Sequence, residues 1–209
     1  MSRKATRAAA LACAALTLVS VLSSCASGND AARSKTPVTY RAAYPSYDSL
    51  AALFKRADLV IQARLGDQTR IQTINPDTPT GDDPRLNPSA GVTAPAQTGP
   101  RDSSIVLTVY QAKVLKVFKG TAGKGQLIDV GQLGGESEGV VYAEAGTASL
   151  KKGGTQLLFL EVYPDAPASL LNPNQGQYDV DAAGNPISLP GNTLKFSLGD
   201  LNKLSQTGG

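Results

Sequence analysis

The stretch SSIVLTVYQAKVLKVFKG, residues 103–120, contains the longest strand pattern in the chain and decides the fold. Apolar residues occupy alternate positions from Ile105 to Val109, and the opposite parity from Tyr110 to Phe118. Because successive side chains of a strand point to opposite faces, we expect the apolar face to change sides near Tyr110. A β-bulge, or a strand that bends between two faces of a barrel, explains such a change.

Further strand patterns lie on both sides of this segment. They are DLVIQARL (58–65), QLIDVGQL (126–133), VVYAE (140–144) and TQLLFLEVY (155–163). Within the first of them, Val60 is expected on one face, and Leu59 and Ile61 on the other. GQYDV and NPISL are expected to pair as a hairpin across DAAG.

Helical patterns occur near the two ends of this region. SYDSLAALFKRA (46–57) places Leu50, Leu53 and Phe54 on one face, and SLGDLNKLSQ (197–206) is predicted to be a short closing helix. Strands in the middle and helices at the ends predict one mostly β domain over 46–206. We expect a small antiparallel barrel of five to six strands with a short helix at each end.

Residues 75–103 interrupt the strand patterns with six prolines among Gly, Asp, Thr and Ala. Proline cannot donate to a strand ladder, and small polar residues bury too little apolar area to offset the entropy of ordering. We therefore expect a mobile loop over 75–103.

The N-terminus has the pattern of an export signal. A basic head ends at Arg7, and residues 8–22 are uncharged and too few to span a membrane comfortably. The stretch ends in Leu22-Ser23-Ser24-Cys25, which resembles the bacterial lipobox of an aliphatic residue, two small residues and Cys. We therefore predict a lipoprotein signal peptide at 1–24.

The lipobox implies cleavage between Ser24 and Cys25 and lipidation of the Cys25 thiol. A diacylglyceryl group supplies the two chains that stable anchoring requires. We expect an exported protein held by lipid on the extracytoplasmic face of a membrane, with the small polar residues of 25–45 as a flexible tether.

The composition of the chain limits its chemistry. The chain has 20 basic and 17 acidic residues, and three basic residues leave with the signal, so 17 of each sign remain. Nothing in this balance predicts a nucleic-acid surface. The chain has no His, and Cys13 lies within the signal, so imidazole and thiolate sites are excluded in the mature chain. We expect no cofactor and no metal.

Two short motifs resemble nucleophile sites. GESEG (135–139) matches G-x-S-x-G with Ser137 at the nucleophile position, but that motif needs a histidine. SLKK (149–152) matches S-x-x-K, in which Lys152 would activate Ser149, but that motif belongs on a helix. We interpret the first motif, together with the glycine before it, as a glycine-rich loop that contacts a partner. The loop is formed by Gly134, Gly135, Glu136, Ser137, Glu138 and Gly139.

DVDAAGN (179–185) contains a fragment of a calcium-loop pattern at Asp179 and Asp181. The fifth and twelfth ligand positions hold Ala183 and Pro190, so a hairpin turn explains the segment better.

These observations favour a non-enzymatic binding module of the cell envelope with a protein or peptide partner. The alternative is a serine-type envelope hydrolase that uses Ser149 with Lys152, or Ser137.

RADLVIQARL, YQAKVLKVFKG and LKKGGTQLLFL follow one another in an order that resembles the netrin-like module. That module is the five-stranded OB-type barrel best known from the tissue inhibitors of metalloproteinases. The segments are also similar to uncharacterised exported bacterial proteins with the same Ala-Asp-x-Val and Leu-Lys-Gly pattern. The resemblance covers about 57–160 and implies an OB-like barrel whose loops and open face bind partners. The inhibitors bind zinc through a disulfide-bonded N-terminal cysteine, so none of their inhibitory residues transfers to the predicted lipidated Cys25.

Overall fold

The computed structural model describes residues 37–75 and 104–207, together with positions 83, 85, 90 and 91. These residues belong to one unit of the chain, Lys35–Gly209. Ser24, Cys25 and the predicted signal lie outside the described residues, as does nearly all of the predicted 75–103 loop. Neither helix in the described part has the length and apolar character needed to cross a membrane.

The described part of the chain is mostly β, with ten strands and two helices. In chain order these are β1 (Val38–Tyr40), α1 (Leu50–Arg56), β2 (Leu59–Ile74), β3 (Ile105–Lys119), β4 (Leu127–Leu133), β5 (Gly135–Ser137), β6 (Val140–Glu144), β7 (Thr155–Glu161), β8 (Ala168–Leu170), β9 (Gln177–Val180), β10 (Pro186–Ser188) and α2 (Leu198–Thr207).

The strands form two sheets. The larger has the order β10-β9-β7-β2-β3-β4-β8, and the smaller has the order β1-β6-β5. Because β8 pairs with β7 as well as with β4, the pairings β2–β3–β4–β8–β7 return to β2.

Two features of the sheets differ from the sequence prediction. The β1–β6 and β4–β8 pairings are parallel, so the fold is not purely antiparallel. The described part also has more strands than the five or six predicted. The additional strands are β1, β5 and β8, each of which is three residues long. Three residues are too few to show the alternation on which a sequence prediction depends.

Two apolar cores lie on opposite faces of β2. Leu59 and Ile61 belong to the first core and Val60 to the second, which confirms the predicted alternation. The first core draws residues from β2, β3, β4, β7 and β8, the five strands of the closed pairing circuit. The second lies between the sheet and the two helices, where Leu53 and Phe54 of α1 are buried.

The apolar face of β3 changes sides, but not where the sequence pattern places the change. Tyr110 and Val114 both lie in the first core, whereas Phe118 lies in the second. Pairing with β2 skips Leu115, because Ala63 faces Val114 and Gln62 faces Lys116. This one-residue bulge inverts the parity of the strand, so the prediction of a switch near Tyr110 is wrong by a few residues.

Candidate functional site

A cavity of about 240 Å³ opens where the smaller sheet meets the end of β4. We call it the Glu144 cavity. Its apolar wall consists of Leu107, Leu133, Pro167, Leu170 and Pro173. Its polar wall consists of Tyr44, Gln132, Glu144 and Ser169. This mixture of an apolar wall with a few polar groups is typical of ligand sites.

A second, more polar cavity of about 280 Å³ adjoins the first. The two share Gln132, Leu133 and Glu144, and the second adds Thr108 and Tyr142, among others. Among the described residues that line either cavity, Glu144 is the one charged side chain. A carboxylate therefore sets the electrostatic character of both.

Glu144 is the last residue of β6, and its backbone pairs with Tyr40 of β1. The Oε1 atom of Glu144 is buried and has no hydrogen-bond partner among the described residues. A buried acceptor without a partner costs about 1–3 kcal/mol. Among the described residues that line the cavity, Oε1 of Glu144 is therefore the buried side-chain atom that lacks a partner.

Tyr44 stands beside this carboxylate and is 37% exposed. Burial raises the pKa of the Tyr44 hydroxyl, and a hydrogen bond to Glu144 and the charge of that carboxylate raise it further. Tyr44 therefore stays neutral at physiological pH and brings no second charge to the site.

The segment that carries Tyr44 has no regular secondary structure but is fastened on one side. Asn172 Nδ2 donates to the Pro45 carbonyl at 3.0 Å. The Gln175 side chain accepts from the Tyr47 N–H and donates to the Tyr47 carbonyl, each at 2.9 Å. These bonds hold Tyr44 against the mouth of the cavity.

The other side of the site is held by β1. The rings of Tyr40 and Tyr142 stack with centroids 5.7 Å apart. The Tyr40 hydroxyl donates to the Ser104 carbonyl and accepts from the Val106 N–H, each at 3.0 Å. β1 therefore ties the smaller sheet to the start of β3.

Gln132 forms a rigid part of the wall. Its Nε2 donates to the Ala148 carbonyl and its Oε1 accepts from the Leu150 N–H, each at 2.8 Å. Gln177 donates to the same Ala148 carbonyl at 2.7 Å. Because both ends of the Gln132 amide are engaged, this side chain contributes shape to the cavity.

The segment predicted as a glycine-rich loop, Gly134–Gly139, is largely a hairpin. Ser137 of β5 pairs with Val140 of β6, which leaves Glu138 and Gly139 as a two-residue turn. Both turn residues have positive φ, 49° and 78°, which is the signature of a type I′ turn. The segment is therefore ordered by strand pairing and is not an open loop.

Neither candidate nucleophile has a hydrogen-bonded base among the described residues, although Ser149 lines the second cavity together with Glu144. Ser137 lies within β5, and Ser149 is an exposed residue between β6 and β7. Lys152 is exposed in a turn, not on a helix. Within the described ranges, neither serine hydroxyl makes a hydrogen bond to another side chain.

The hairpin predicted around DAAG is confirmed by the pairing of β9 with β10. The Asp181 carboxylate accepts hydrogen bonds from the Ala183 and Asn185 N–H groups at 2.9 and 2.8 Å. Asp179 forms an ion pair with Lys151. Among the described residues, no group of three or more His, Cys, Asp or Glu side chains is placed to hold a metal.

Neither Tyr44 nor Glu144 is predicted as a site residue from the sequence. Neither belongs to a recognised motif, and Tyr44 lies within the segment predicted as a tether, 25–45. The one signal was an acidic residue at the end of the apolar stretch VVYAE, and many surface strands end in this way.

Comparison with protein-family models, with curated proteins and with solved structures found no match for this chain.

Proposed function

We propose that this protein is a cell-envelope lipoprotein, anchored to the membrane through Cys25, whose β domain is a non-enzymatic module that binds an envelope protein or peptide. The pattern Leu22–Cys25 supports the anchor. The Glu144 cavity is the observation that carries the binding role, because an apolar wall around a carboxylate with one unpaired oxygen is suited to recognition.

We further propose that β2, β3, β4, β8 and β7 form an OB-like barrel of the netrin-like kind. The closed circuit of pairings supports this, since a barrel has no free edge. A core built from all five strands supports it as well. The cavity then lies beside the barrel, against the smaller sheet, where a loop or strand of a partner has access.

A binding role accounts for the chemistry of the site better than hydrolysis does. A general acid or base must reach the reacting group within hydrogen-bond distance. The chain has no His, and Ser137 and Ser149 lack a hydrogen-bonded base among the described residues. Among the described residues that line the Glu144 cavity, there is no second carboxylate and no amine.

The anchor is tested with a Cys25→Ala variant of the full chain. We expect loss of labelling by a palmitate analogue and release from the membrane fraction, because the thiol that carries the lipid is gone. The matched control is Cys13→Ala, which changes the other cysteine and should leave labelling and retention unchanged. Equal membrane retention of the Cys25→Ala protein would show that the anchor proposal is wrong.

The absence of hydrolase activity is tested with a serine-reactive fluorophosphonate. We expect no specific labelling of the wild-type protein. Labelling that disappears in Ser149→Ala or in Ser137→Ala would overturn the non-enzymatic role.

The binding role is tested by photo-crosslinking in intact cells. A photoreactive amino acid at Ser169, on the wall of the Glu144 cavity, is compared with the same amino acid at the exposed Lys203 of α2. We expect a discrete crosslinked envelope protein or peptide from position 169 and none from position 203. Identical products from the two positions would contradict a site at the cavity.

A further inference from the structure

We propose that the Glu144 cavity binds the basic side chain of a lysine or arginine from the partner, with the ammonium or guanidinium on the Glu144 carboxylate. This inference rests on the binding role proposed above and names the chemistry of the ligand. The occupant is an alkyl chain that ends in a cation.

Charge complementarity is the first reason. Glu144 is the one charged group among the described residues of the cavity wall. The ion pairs between described residues are Arg56–Glu161, Arg70–Asp129, Lys151–Asp179 and Lys203–Asp200. Glu144 belongs to none of them, so no described cation of the chain competes for its carboxylate.

The unpaired oxygen is the second reason. Glu144 Oε1 is shielded from solvent and accepts no hydrogen bond from any described residue. A buried polar group without a partner is costly, and a charge-assisted hydrogen bond is about twice as strong as a neutral one. A cationic donor relieves this cost, whereas a neutral alkyl group leaves the oxygen unpaired and an anion is repelled.

The shape of the cavity is the third reason. A volume of about 240 Å³ with walls of Leu107, Leu133, Leu170 and two prolines accommodates the methylene stem of a long basic side chain. Lysine and arginine bury such stems against apolar surface while their charged ends reach a polar partner. The apolar wall and the carboxylate therefore match two parts of one side chain.

Tyr44 places a second polar group beside the carboxylate in this arrangement. It lines the cavity, lies beside Glu144 and belongs to a segment without regular structure. The neutral Tyr44 hydroxyl can accept a hydrogen bond from the same cation.

The test uses the full chain, purified in a nonionic detergent and labelled with ¹³C on its leucine methyl groups. The probes are n-butylguanidinium and n-butylammonium, and n-butanol is the neutral probe of similar length. We expect saturable shifts of the Leu107, Leu133 and Leu170 methyl signals with the two cations and much weaker binding of n-butanol. Equal affinity for n-butanol would overturn the proposal, because the cavity would then recognise only the apolar stem.

The decisive variant is Glu144→Gln, which keeps the shape of the side chain and removes its charge. We expect affinity for the cations to fall by about tenfold or more, as loss of a charge-assisted hydrogen bond predicts. The matched control is Glu138→Gln, which makes the same change of net charge in the exposed hairpin turn. Unchanged affinity in Glu144→Gln, or an equal loss in Glu138→Gln, would contradict the proposal.

A second variant guards against a folding defect. Glu144→Asp keeps the charge on a shorter side chain, so it should bind the cations more tightly than Glu144→Gln does. The Leu157 methyl signal from the second core reports whether each variant keeps its fold. Two folded variants of equal, weak affinity would show that shape matters and charge does not.

This experiment is independent of the membrane anchor and of the identity of the envelope partner. Cation binding with no crosslink from Ser169 would support cation recognition by the Glu144 cavity and contradict the proposed binding role. A crosslink from Ser169 without cation binding would support the binding role and contradict cation recognition by the cavity. A lysine pentapeptide, acetyl-Gly-Ser-Lys-Ser-Gly-amide, compared with its glutamine counterpart, shows whether the cation is recognised within a peptide, and equal binding of the two would overturn the proposal.

Discussion

The Lys119 Nζ atom lies 2.6 Å from the carbonyl oxygen of Ala57. The same ammonium donates to the Phe54 and Lys55 carbonyls, each at 2.9 Å. These are carbonyls at the C-terminal end of α1, where the helix has no intrahelical donors left to offer. Lys119 is the last residue of β3, so one side chain closes the helix and fixes the end of the strand against it. The motifs RAD and VFKG, far apart in sequence, thus meet in the fold.

Lys119→Met should lower the free energy of unfolding by about 1.5–3 kcal/mol, the range for hydrogen bonds to a charged group. Methionine keeps most of the aliphatic stem but leaves three carbonyls without their common donor. The measurement is a urea unfolding curve, in which the midpoint falls while the slope stays unchanged.

The control for that variant is Lys113→Met, on the same strand. Lys113 is exposed, so its replacement should change the free energy of unfolding by no more than about 0.5 kcal/mol. Equal losses in the two variants would show that the effect comes from surface charge and not from closure of α1.

Gly120→Ala should be destabilising for two separable reasons. Gly120 has a φ of 91°, and a Cβ atom there would lie 2.7 Å from the Asp58 carbonyl oxygen and 2.9 Å from Leu59 Cδ1. We expect a loss of about 2–4 kcal/mol, from the left-handed backbone and the displaced neighbours together. Gly125→Ala is the control, because its φ is 86° and a Cβ there meets no atom within 4 Å. If thermal or urea unfolding gives the same loss for both, the close contact with Asp58 contributes nothing.

Local patterns were sufficient to predict the central features of the fold. The alternation of Leu59, Val60 and Ile61 and the hairpin of β9 with β10 depend on neighbouring residues alone. The pairing of β8 does not depend on neighbouring residues alone. Its three residues, Ala168–Leu170, join β4 to β7 and close the circuit, and that placement depends on tertiary contacts. The bulge at Leu115 has the same origin, because the register is decided between two strands.

The candidate site could not be predicted for a related reason. Tyr44 and Glu144 are 100 positions apart (144 − 44), and the parallel pairing of β1 with β6 helps to bring them together. β1 is three residues long and lies in a segment whose composition predicts a tether. Ser137 and Ser149 drew attention because they match motifs, although a motif indicates chemistry only in the right structural context.

Glu138→Asn should stabilise the β5–β6 hairpin. Glu138 is the one non-glycine residue with positive φ in the described part of the chain, and type I′ turns favour Asn-Gly at their two central positions. We expect a gain of about 0.5–1 kcal/mol, because asparagine tolerates the left-handed region better than glutamate does. Thermal unfolding measures the gain, and slower hydrogen exchange in β5 and β6 locates it. Glu138→Ala is the control, since it removes the same charge without favouring the turn. An equal gain in Glu138→Ala would assign the effect to charge.

Tyr178→Phe should change how stability depends on alkaline pH. Tyr178 is buried in the second core against Phe159 and Phe196, at centroid distances of 5.9 and 4.7 Å. Burial raises the pKa of the Tyr178 hydroxyl from 10.0 to about 12, and the nearby Asn192 amide acts in the opposite direction. Neither the hydroxyl nor Asn192 Nδ2 has a well-formed hydrogen bond among the described residues.

The sign follows from which state loses its proton first. Above pH 10 the unfolded chain ionises this tyrosine while the folded chain keeps it neutral, so the stability that Tyr178 contributes is complete below pH 10 and is lost as the pH rises toward 12. In urea unfolding across this range, the free energy of unfolding of the wild type should fall more steeply with pH than that of Tyr178→Phe. The difference in slope should correspond to the release of about one proton. Tyr44, Tyr47 and Tyr110 also have raised pKa values, so the variant should retain part of the slope. The control is Tyr163→Phe, which changes an exposed ring. Parallel profiles for wild type and Tyr178→Phe would show that the buried hydroxyl ionises as readily in the folded chain as in the unfolded one.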